Sequence, residues 1–265
     1  MKILCVGDVF GSPGRRAARE LLPGLIKEHQ ADFVIVNGEN AAGGSGLTKA
    51  TAQDLLDLPI DVITGGNHTW RFREVGKLLD AEPRLLRPLN YPNKAPGRGF
   101  TRVKSRAGVP VGVINLQGRV FMDPLPCPFA AADKAVEELK AQGCQVIVVD
   151  FHAEATSEKR ALGWYLDGRV SALFGTHTHV PTADEEVLPG GTAYITDVGM
   201  TGPYDSVIGV QKEKILQRFL TMRPTSFSVA KGDVRLCGII VDVDVETGRA
   251  GSIKRLCQRL PPKGR

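Results

Sequence analysis

The strongest constraint in this 265-residue chain is a pattern that recurs along it: a short apolar run ends, and a glycine-flanked cluster of acid, amide or imidazole follows at once. Ile3–Val6 leads into Gly7-Asp8-Val9-Phe10-Gly11, and Phe33–Val36 into Asn37-Gly38-Glu39-Asn40. Asp61–Thr64 leads into Gly65-Gly66-Asn67-His68, Val146–Asp150 into Phe151-His152-Ala153-Glu154, and Ala172–Phe174 into Gly175-Thr176-His177-Thr178-His179. Unbroken apolar runs of this length fit strands buried on both faces, as in parallel sheets. Helical patterns lie between them. Ser12-Pro13, read as N-cap and first-turn proline, opens a helix to about His29, and Thr48 caps another to about Leu58. Glu74–Ala81, Ala130–Ala141, Ser157–Tyr165 and Gln211–Thr221 also read as helices, and Val111–Leu116 and Tyr194–Thr196 as strands. Pro83 to Gly99 is irregular, and the end reads as antiparallel strands, Phe227–Val229 and Cys237–Val245, with a turn at Glu246-Thr247-Gly248. Strand–helix alternation closing in hairpins predicts an α/β fold with mixed sheets, as one domain over residues 1–265.

In α/β sheets the carboxyl ends of the strands form one edge, and ligands bind there. That edge would gather two carboxylates (Asp8, Glu39), two amides (Asn40, Asn67) and four imidazoles (His68, His152, His177, His179), leaving only His29 of the five histidines, read as a surface residue. Each fragment alone has an ordinary reading: a helix cap, a turn, a helix entry, a core histidine. Five such coincidences at one type of position argue for a site. Side chains at i and i+2 of extended chain point the same way, so His177 and His179 would project together from a strand end. Carboxylate, imidazole and amide oxygen together suit manganese, iron or zinc better than calcium or thiolate-bound metals. Eight groups exceed the needs of one tetrahedral ion and suit two ions about 3.5–4 Å apart sharing a carboxylate. Gly7, Gly38, Gly65, Gly66 and Gly175 would allow tight turns and close backbone approach.

Composition excludes several classes. Hydrophobic residues are 42% and charged residues 24%, ordinary globular values. No apolar run approaches the roughly 18 residues of a membrane-spanning helix. The first apolar run is too short for a signal peptide and Asp8 interrupts it. Five cysteines without Cys-x-x-Cys spacing argue for a reducing cytoplasm, with no disulfide framework and no zinc ribbon. The net charge of +5 is uneven. Residues 83–122 hold Arg84, Arg87, Lys94, Arg98, Arg102, Lys104, Arg106 and Arg119 and no acid; residues 249–265 hold Arg249, Lys254, Arg255, Arg259, Lys263 and Arg265 and no acid. Such segments are either solvated surface or sites for anionic partners such as phosphates or RNA.

The ordered series Gly-Asp-Val-Phe-Gly, Asn-Gly-Glu-Asn, Gly-Gly-Asn-His-Thr-Trp, Asp-Phe-His-Ala-Glu and Gly-Thr-His-Thr-His-Val resembles the calcineurin-like metallophosphoesterases, and more closely their bacterial YmdB-type phosphodiesterases, over nearly the whole chain. The resemblance implies a sandwich of two mixed β-sheets flanked by helices, with the metal site at the carboxyl ends of the strands. It implies that Asp8, Asn40 and His179 hold one metal, that Asn67, His152 and His177 hold the other, and that Glu39 bridges them. His68 would face the scissile phosphate. The implied cofactors are two transition-metal ions, iron or manganese with zinc as the third option. The implied reaction is hydrolysis of phosphodiesters, including 2′,3′-cyclic nucleotides, with a metal-activated water and no protein nucleophile. The chain departs from the broad superfamily in three places. Phe10 stands where a histidine is usual, Glu39 where the bridging acid is usually Asp, and Thr69 where an acid usually follows His68. The first two belong together if Asn40 replaces the missing histidine. Arg71 and Arg73 would bind substrate phosphate, Ala41–Leu47 would form a lip, and a homo-oligomer is compatible. Two rivals are weaker. A dinucleotide-binding turn at Gly7–Gly14 would set Asp8 against the pyrophosphate. An RNA-binding module would want more than 6% aromatics for stacking.

Overall fold

Strands with apolar side chains on both faces must be covered on both sides, and the chain does this in four layers. The computed structural model describes residues 1–261. In chain order the elements are β1 (Lys2–Val6), α1 (Gly11–His29), β2 (Phe33–Asn37), α2 (Lys49–Leu56), β3 (Val62–Thr64), α3 (Val75–Ala81), β4 (Phe100–Lys104), β5 (Pro110–Gln117), α4 (Pro128–Ala141), β6 (Val146–His152), α5 (Thr156–Leu166), β7 (Ala172–Thr176), β8 (Glu186–Val187), β9 (Ala193–Ile195), β10 (Gly202–Pro203), α6 (Lys212–Thr221), β11 (Val234–Val243) and β12 (Ala250–Arg259). The first sheet runs β10-β11-β1-β2-β3, with β12 also on β11, and the second runs β4-β5-β6-β7-β9-β8. The runs β1-β2-β3 and β5-β6-β7-β9 are parallel, and antiparallel strands finish every edge except that at β3.

Strand alternation sorts the core into layers. Leu4, Val6, Val34 and Val36 face α1, α2 and α3 through Leu22, Leu55 and Leu79. Ile3, Cys5, Phe33 and Ile35 face the other way and meet Val111, Val113, Val148 and Phe174 of the second sheet. The outer face of that sheet, Ile114, Leu116, Ile147 and Val149, packs on Ala135 and Leu139 of α4 and Leu162 of α5. Fully burying each such side chain stabilises by about 1.5–3 kcal/mol, so the double-sided burial is what commits these runs to strands. No helix among the described residues is long and apolar enough to cross a membrane.

Several expectations are corrected. Helix α1 starts at Gly11 with Phe10 as N-cap and no side-chain cap, so Ser12 lies inside the first turn. The Phe10 N–H bonds Thr201 O at 2.9 Å and its carbonyl accepts Gly14 N–H at 3.1 Å, so the strand network sets the helix start. Phe227–Val229 is not a strand: Val229 makes one isolated bridge to Val210, and β11 is occupied instead by β1, β10 and β12. Sequence reading passed over β4 and β12 because both are exposed and basic, with Arg102 and Lys104 in one and Lys254, Arg255 and Arg259 in the other. Charged edge strands discourage sheet-to-sheet association and carry little apolar signal. By contrast, Thr48 caps α2 as expected, in a reciprocal capping box with Thr51.

Candidate metal centre

The first sheet brings the carboxylates and amides. Asp8, two residues past β1, is fully buried. Its carbonyl accepts Thr201 N–H at 2.8 Å, and the next N–H, of Val9, bonds Asn37 O at 2.8 Å. Asp8 Oδ2 accepts the His177 N–H at 3.2 Å, while the buried Oδ1 has no hydrogen-bond partner among the described residues. Burial pushes the Asp8 carboxyl up, against the pull of His179 and His152. Glu39, 2% exposed, takes Asn40 Nδ2 at 2.8 Å on Oε1 and the His68 N–H at 3.1 Å on Oε2. Burial would raise it too, but His152 and then His68 hold it well below the usual carboxylate range. Gly66 is indispensable here, because a Cβ would collide with Glu39 Oε2 and His152 Nε2. A Cβ at Gly7 would likewise strike the Gly199 carbonyl. None of Gly7, Gly38, Gly65, Gly66 and Gly175 has positive φ, so these glycines serve close approach rather than left-handed turns.

The second sheet brings the imidazoles. His152 ends β6, and three donor groups converge on its Nε2: Asn67 Oδ1 at 2.9 Å, His177 Nδ1 at 3.1 Å and Glu39 Oε2 at 3.2 Å. Donor atoms of Glu39, His152 and His177 lie within 4.8 Å of one another. His179 Nε2 forms a second group, 3.0 Å from Asn40 Nδ2 and 4.0 Å from Asp8 Oδ1. Each imidazole is held from outside by its other nitrogen. His152 Nδ1 lies 2.9 Å from Thr176 Oγ1, whose hydroxyl donates to Asp150 Oδ1 at 2.7 Å. His177 Nε2 lies 3.1 Å from Glu154 Oε2, and His179 Nδ1 2.9 Å from the Ile208 carbonyl. Acceptors on the outer nitrogen turn the lone pair of the inner one into the cluster, the arrangement metal-ligating histidines use. Against burial, the Glu39 and Asp8 carboxylates raise His152 to about 9; burial and then His152 lower His177 to about 3. The carboxylates therefore draw positive charge to the centre, carried here by the His152 proton that a metal ion would replace, and burial keeps His177 neutral, as a ligand must be. Buried acid, orphaned Asp8 Oδ1 and inward lone pairs all fit a metal centre.

The strand-alternation argument for His177 and His179 is corrected. Strand β7 stops at Thr176, and φ is 96° at His177 and 67° at His179. The two rings reach different groups because the backbone turns left-handed twice, at residues that do so uncommonly. Asp197 holds this turn: its Oδ2 accepts Thr178 N–H at 3.2 Å and Thr178 Oγ1 at 2.8 Å, and its Oδ1 accepts Gly199 N–H at 2.8 Å. Lys159 Nζ, fully buried, pairs with Asp197 Oδ2 at 2.7 Å. Asp150 joins the two sheets, accepting Asn37 Nδ2 at 2.9 Å and the Thr64 hydroxyl beside that of Thr176. Burial raises Asp150 to about 6 even against those bonds. Sequence reading missed Asn37, Asp150, Thr176, Lys159 and Asp197. Asp150 closing an apolar run was a signal; Lys159 on a helix gave none.

His68 sits at the rim with 38% of its side chain exposed, and Nδ1 lies 3.1 Å from Glu39 Oε1 and 3.0 Å from Asn40 Oδ1. Glu39 thus supplies the acid that Thr69 does not, while the Thr69 hydroxyl braces the turn by donating to Gly66 O at 2.7 Å. Residues 41–47 form a turn that packs on the Arg71 stem at Gly46. Arg71 and Arg73 are exposed and make no ion pair among the described residues. In the basic segment, Arg84 pairs with Glu82 at 3.0 Å, Arg106 with Asp61 at 3.2 Å, and buried Arg87 bonds the Pro88 carbonyl at 2.9 Å; Lys94, Arg98, Arg102, Lys104 and Arg119 stay exposed. Arg255 pairs with Glu185 at 2.6 Å and Arg259 with Asp233 at 2.8 Å, whereas Lys263 and Arg265 lie outside the described residues. His29 lies apart, at the end of α1 beside Glu28.

Two mixed sheets between helices, with this donor set at the strand ends, define a calcineurin-like metallophosphoesterase fold. Within that class the chain belongs to the YmdB-like protein family, which matches residues 4–256. It is 52% identical over 256 residues to the 2′,3′-cyclic-nucleotide 2′-phosphodiesterase of Bacillus subtilis, covering 97% of this chain and 96% of that one. A crystal structure of a hypothetical protein from Thermus thermophilus matches with a TM-score of 0.91 and 46% identity, covering 98% of this chain and 100% of that chain. A crystal structure of a novel phosphatase from Mycoplasma pneumoniae matches with a TM-score of 0.90 and 35% identity, covering 98% and 93%.

Proposed function

We propose that this chain is a single-domain, metal-dependent phosphodiesterase acting on 2′,3′-cyclic nucleotides at the 2′ ester, as the name of its Bacillus subtilis relative describes. When bound, two transition-metal ions, iron or manganese before zinc, supply Lewis acidity and a water acidified toward neutral pH. Asp8, Asn40 and His179 would hold one ion, and Asn67, His152 and His177 the other, with Glu39 between the two groups. Asn40 turns Nδ2 toward His179 and Oδ1 toward His68, so liganding through oxygen requires an amide flip. His68 is not a ligand in this reading. Its Nδ1 is engaged by Glu39 and Asn40, which leaves Nε2 for the leaving 2′ oxygen or a phosphoryl oxygen. Exposed Arg71 and Arg73 next to it would steer and orient the phosphate. The exposed basic residues of 83–122 would extend this attraction to an RNA chain.

The observation that carries this reading is the convergence of Asn67, His177 and Glu39 on His152 Nε2 while each histidine is pinned from outside. The test is elemental analysis of protein purified without chelator, paired with turnover of 2′,3′-cyclic AMP and bis-p-nitrophenyl phosphate before and after metal stripping. About two transition-metal ions per chain with metal-restored turnover is expected. Failure to take up manganese or iron, or metal-loaded protein without diesterase activity, would overturn it.

A further inference from the structure

Strands β11 and β12 pair antiparallel with Cys237 directly opposite Cys257. Directly opposed residues of such a pair have Cα atoms about 4.5–5.5 Å apart, inside the range a disulfide spans. The two Sγ atoms already lie 3.1 Å apart. Cys257 is exposed on the outer strand and Cys237 is buried behind it, so a reagent from solvent meets Cys257 first. Arg235, two residues from Cys237 on the same face of β11, lies opposite Arg259 and stacks over Tyr204, whose hydroxyl donates to Cys237 Sγ at 3.0 Å. Two guanidiniums, partly balanced by Asp233, therefore flank the pair.

We propose that Cys237 and Cys257 form a reversible oxidation site, converted to a cross-strand disulfide by a peroxide or a small-molecule disulfide. With hydrogen peroxide, the Cys257 thiolate attacks one peroxide oxygen, the O–O bond breaks, hydroxide leaves and a sulfenic acid forms. The Cys237 thiol then attacks that sulfur, the S–OH bond breaks and water leaves. Overall two thiols and one peroxide give one disulfide and two waters. With a small disulfide, Cys257 forms the mixed disulfide, Cys237 displaces the second small thiol, and two small thiols are released. The roles follow from environment. The Cys237 S–H donating to it, against partial burial, and Arg235 beside it lower the Cys257 thiol to about 6, whereas the bond to Cys257 and burial push Cys237 up. An exposed thiolate backed by a resolving thiol is the arrangement of oxidation-sensitive cysteine pairs. The pair is also tied to the metal centre across the sheet, because the Cys237 carbonyl accepts the Gly7 N–H at 3.0 Å, one residue before Asp8.

The test uses the full chain, reduced and then exposed at neutral pH to hydrogen peroxide or oxidised glutathione, with free thiols alkylated before tryptic digestion. Cys237 and Cys257 fall in different tryptic peptides, 236–249 and 256–259. The expected result is a linked pair of these peptides within one chain, absent from the reduced sample, dominant after oxidation and lost again with dithiothreitol. The same intrachain link at a tenfold lower protein concentration would support it further. Cys257 linked only between chains, Cys257 driven to sulfinic acid while Cys237 stays alkylatable, or Cys5, Cys127 and Cys144 reacting first would each overturn it.

Discussion

The two sheets build the two halves of the site by different means. The first sheet presents Asp8, Glu39, Asn40, Asn67 and His68 from turns held by main-chain hydrogen bonds and by glycines that let the backbone come close. The second presents His152, His177 and His179 from a strand end and a doubly left-handed turn, and braces them with buried charge: Asp150 behind Thr176, and Lys159 with Asp197 behind Thr178. Carboxylates tolerate the first arrangement because either oxygen can serve. An imidazole serves through one nitrogen only, so its tautomer and ring direction must be fixed from behind. The difference teaches that the imidazole half depends on residues that never meet substrate.

The largest test of that dependence is Lys159→Met. It leaves Asp197 buried without its counter-charge, and losing one partner of a buried pair costs about 3–5 kcal/mol. Urea denaturation should show that loss, together with weaker metal binding as the His177–His179 turn loosens. A loss below about 1 kcal/mol would mean that the hydrogen bonds from Thr178 and Gly199 hold Asp197 unaided, and the contrast between the halves would fail.

His68→Ala addresses the other half. His68 reacts but does not ligate in the proposed mechanism, so kcat should fall about 10²–10⁴-fold while metal content and thermal stability hold. Loss of metal together with activity would instead make His68 part of the liganding scaffold. A smaller effect is expected from Glu154→Gln. Glu154 is half-exposed and its one role in the centre is the contact with His177 Nε2 at 3.1 Å. Metal affinity, measured by competition with a chelator, should fall about 10–100-fold with the fold intact. No change would show that the left-handed backbone alone orients His177.

The same contrast explains what could be read from the sequence. The strands buried on both faces and the clustering of polar residues at their ends were legible, because two-faced strands read as unbroken apolar runs and their polar endings stand out against them; the two-sheet sandwich came from the family resemblance. The braces were not. Lys159 lies on α5, far along the chain from the turn it supports through Asp197, and a helical lysine is ordinarily a surface residue. Asn37 and Thr64 looked like strand ends, and only the meeting of the sheets around Asp150 gives them a role. The left-handed φ at His177 and His179 was hidden because neither residue is a glycine. Edge strands β4 and β12 were hidden because their exposed positions are basic.

The smallest prediction sharpens the comparison from the first-sheet side. Helix α2 follows the 41–47 turn that leads from Glu39 and Asn40, so it is the next regular element after them that could position them. Thr48→Ala removes its reciprocal cap with Thr51 and should cost about 1 kcal/mol in thermal or urea denaturation. Metal affinity should not move, because Glu39 and Asn40 are fixed by bonds to Asn37, to each other and to His68, none of which passes through the helix. A fall in metal affinity of about tenfold or more would show that this half, too, is positioned from behind.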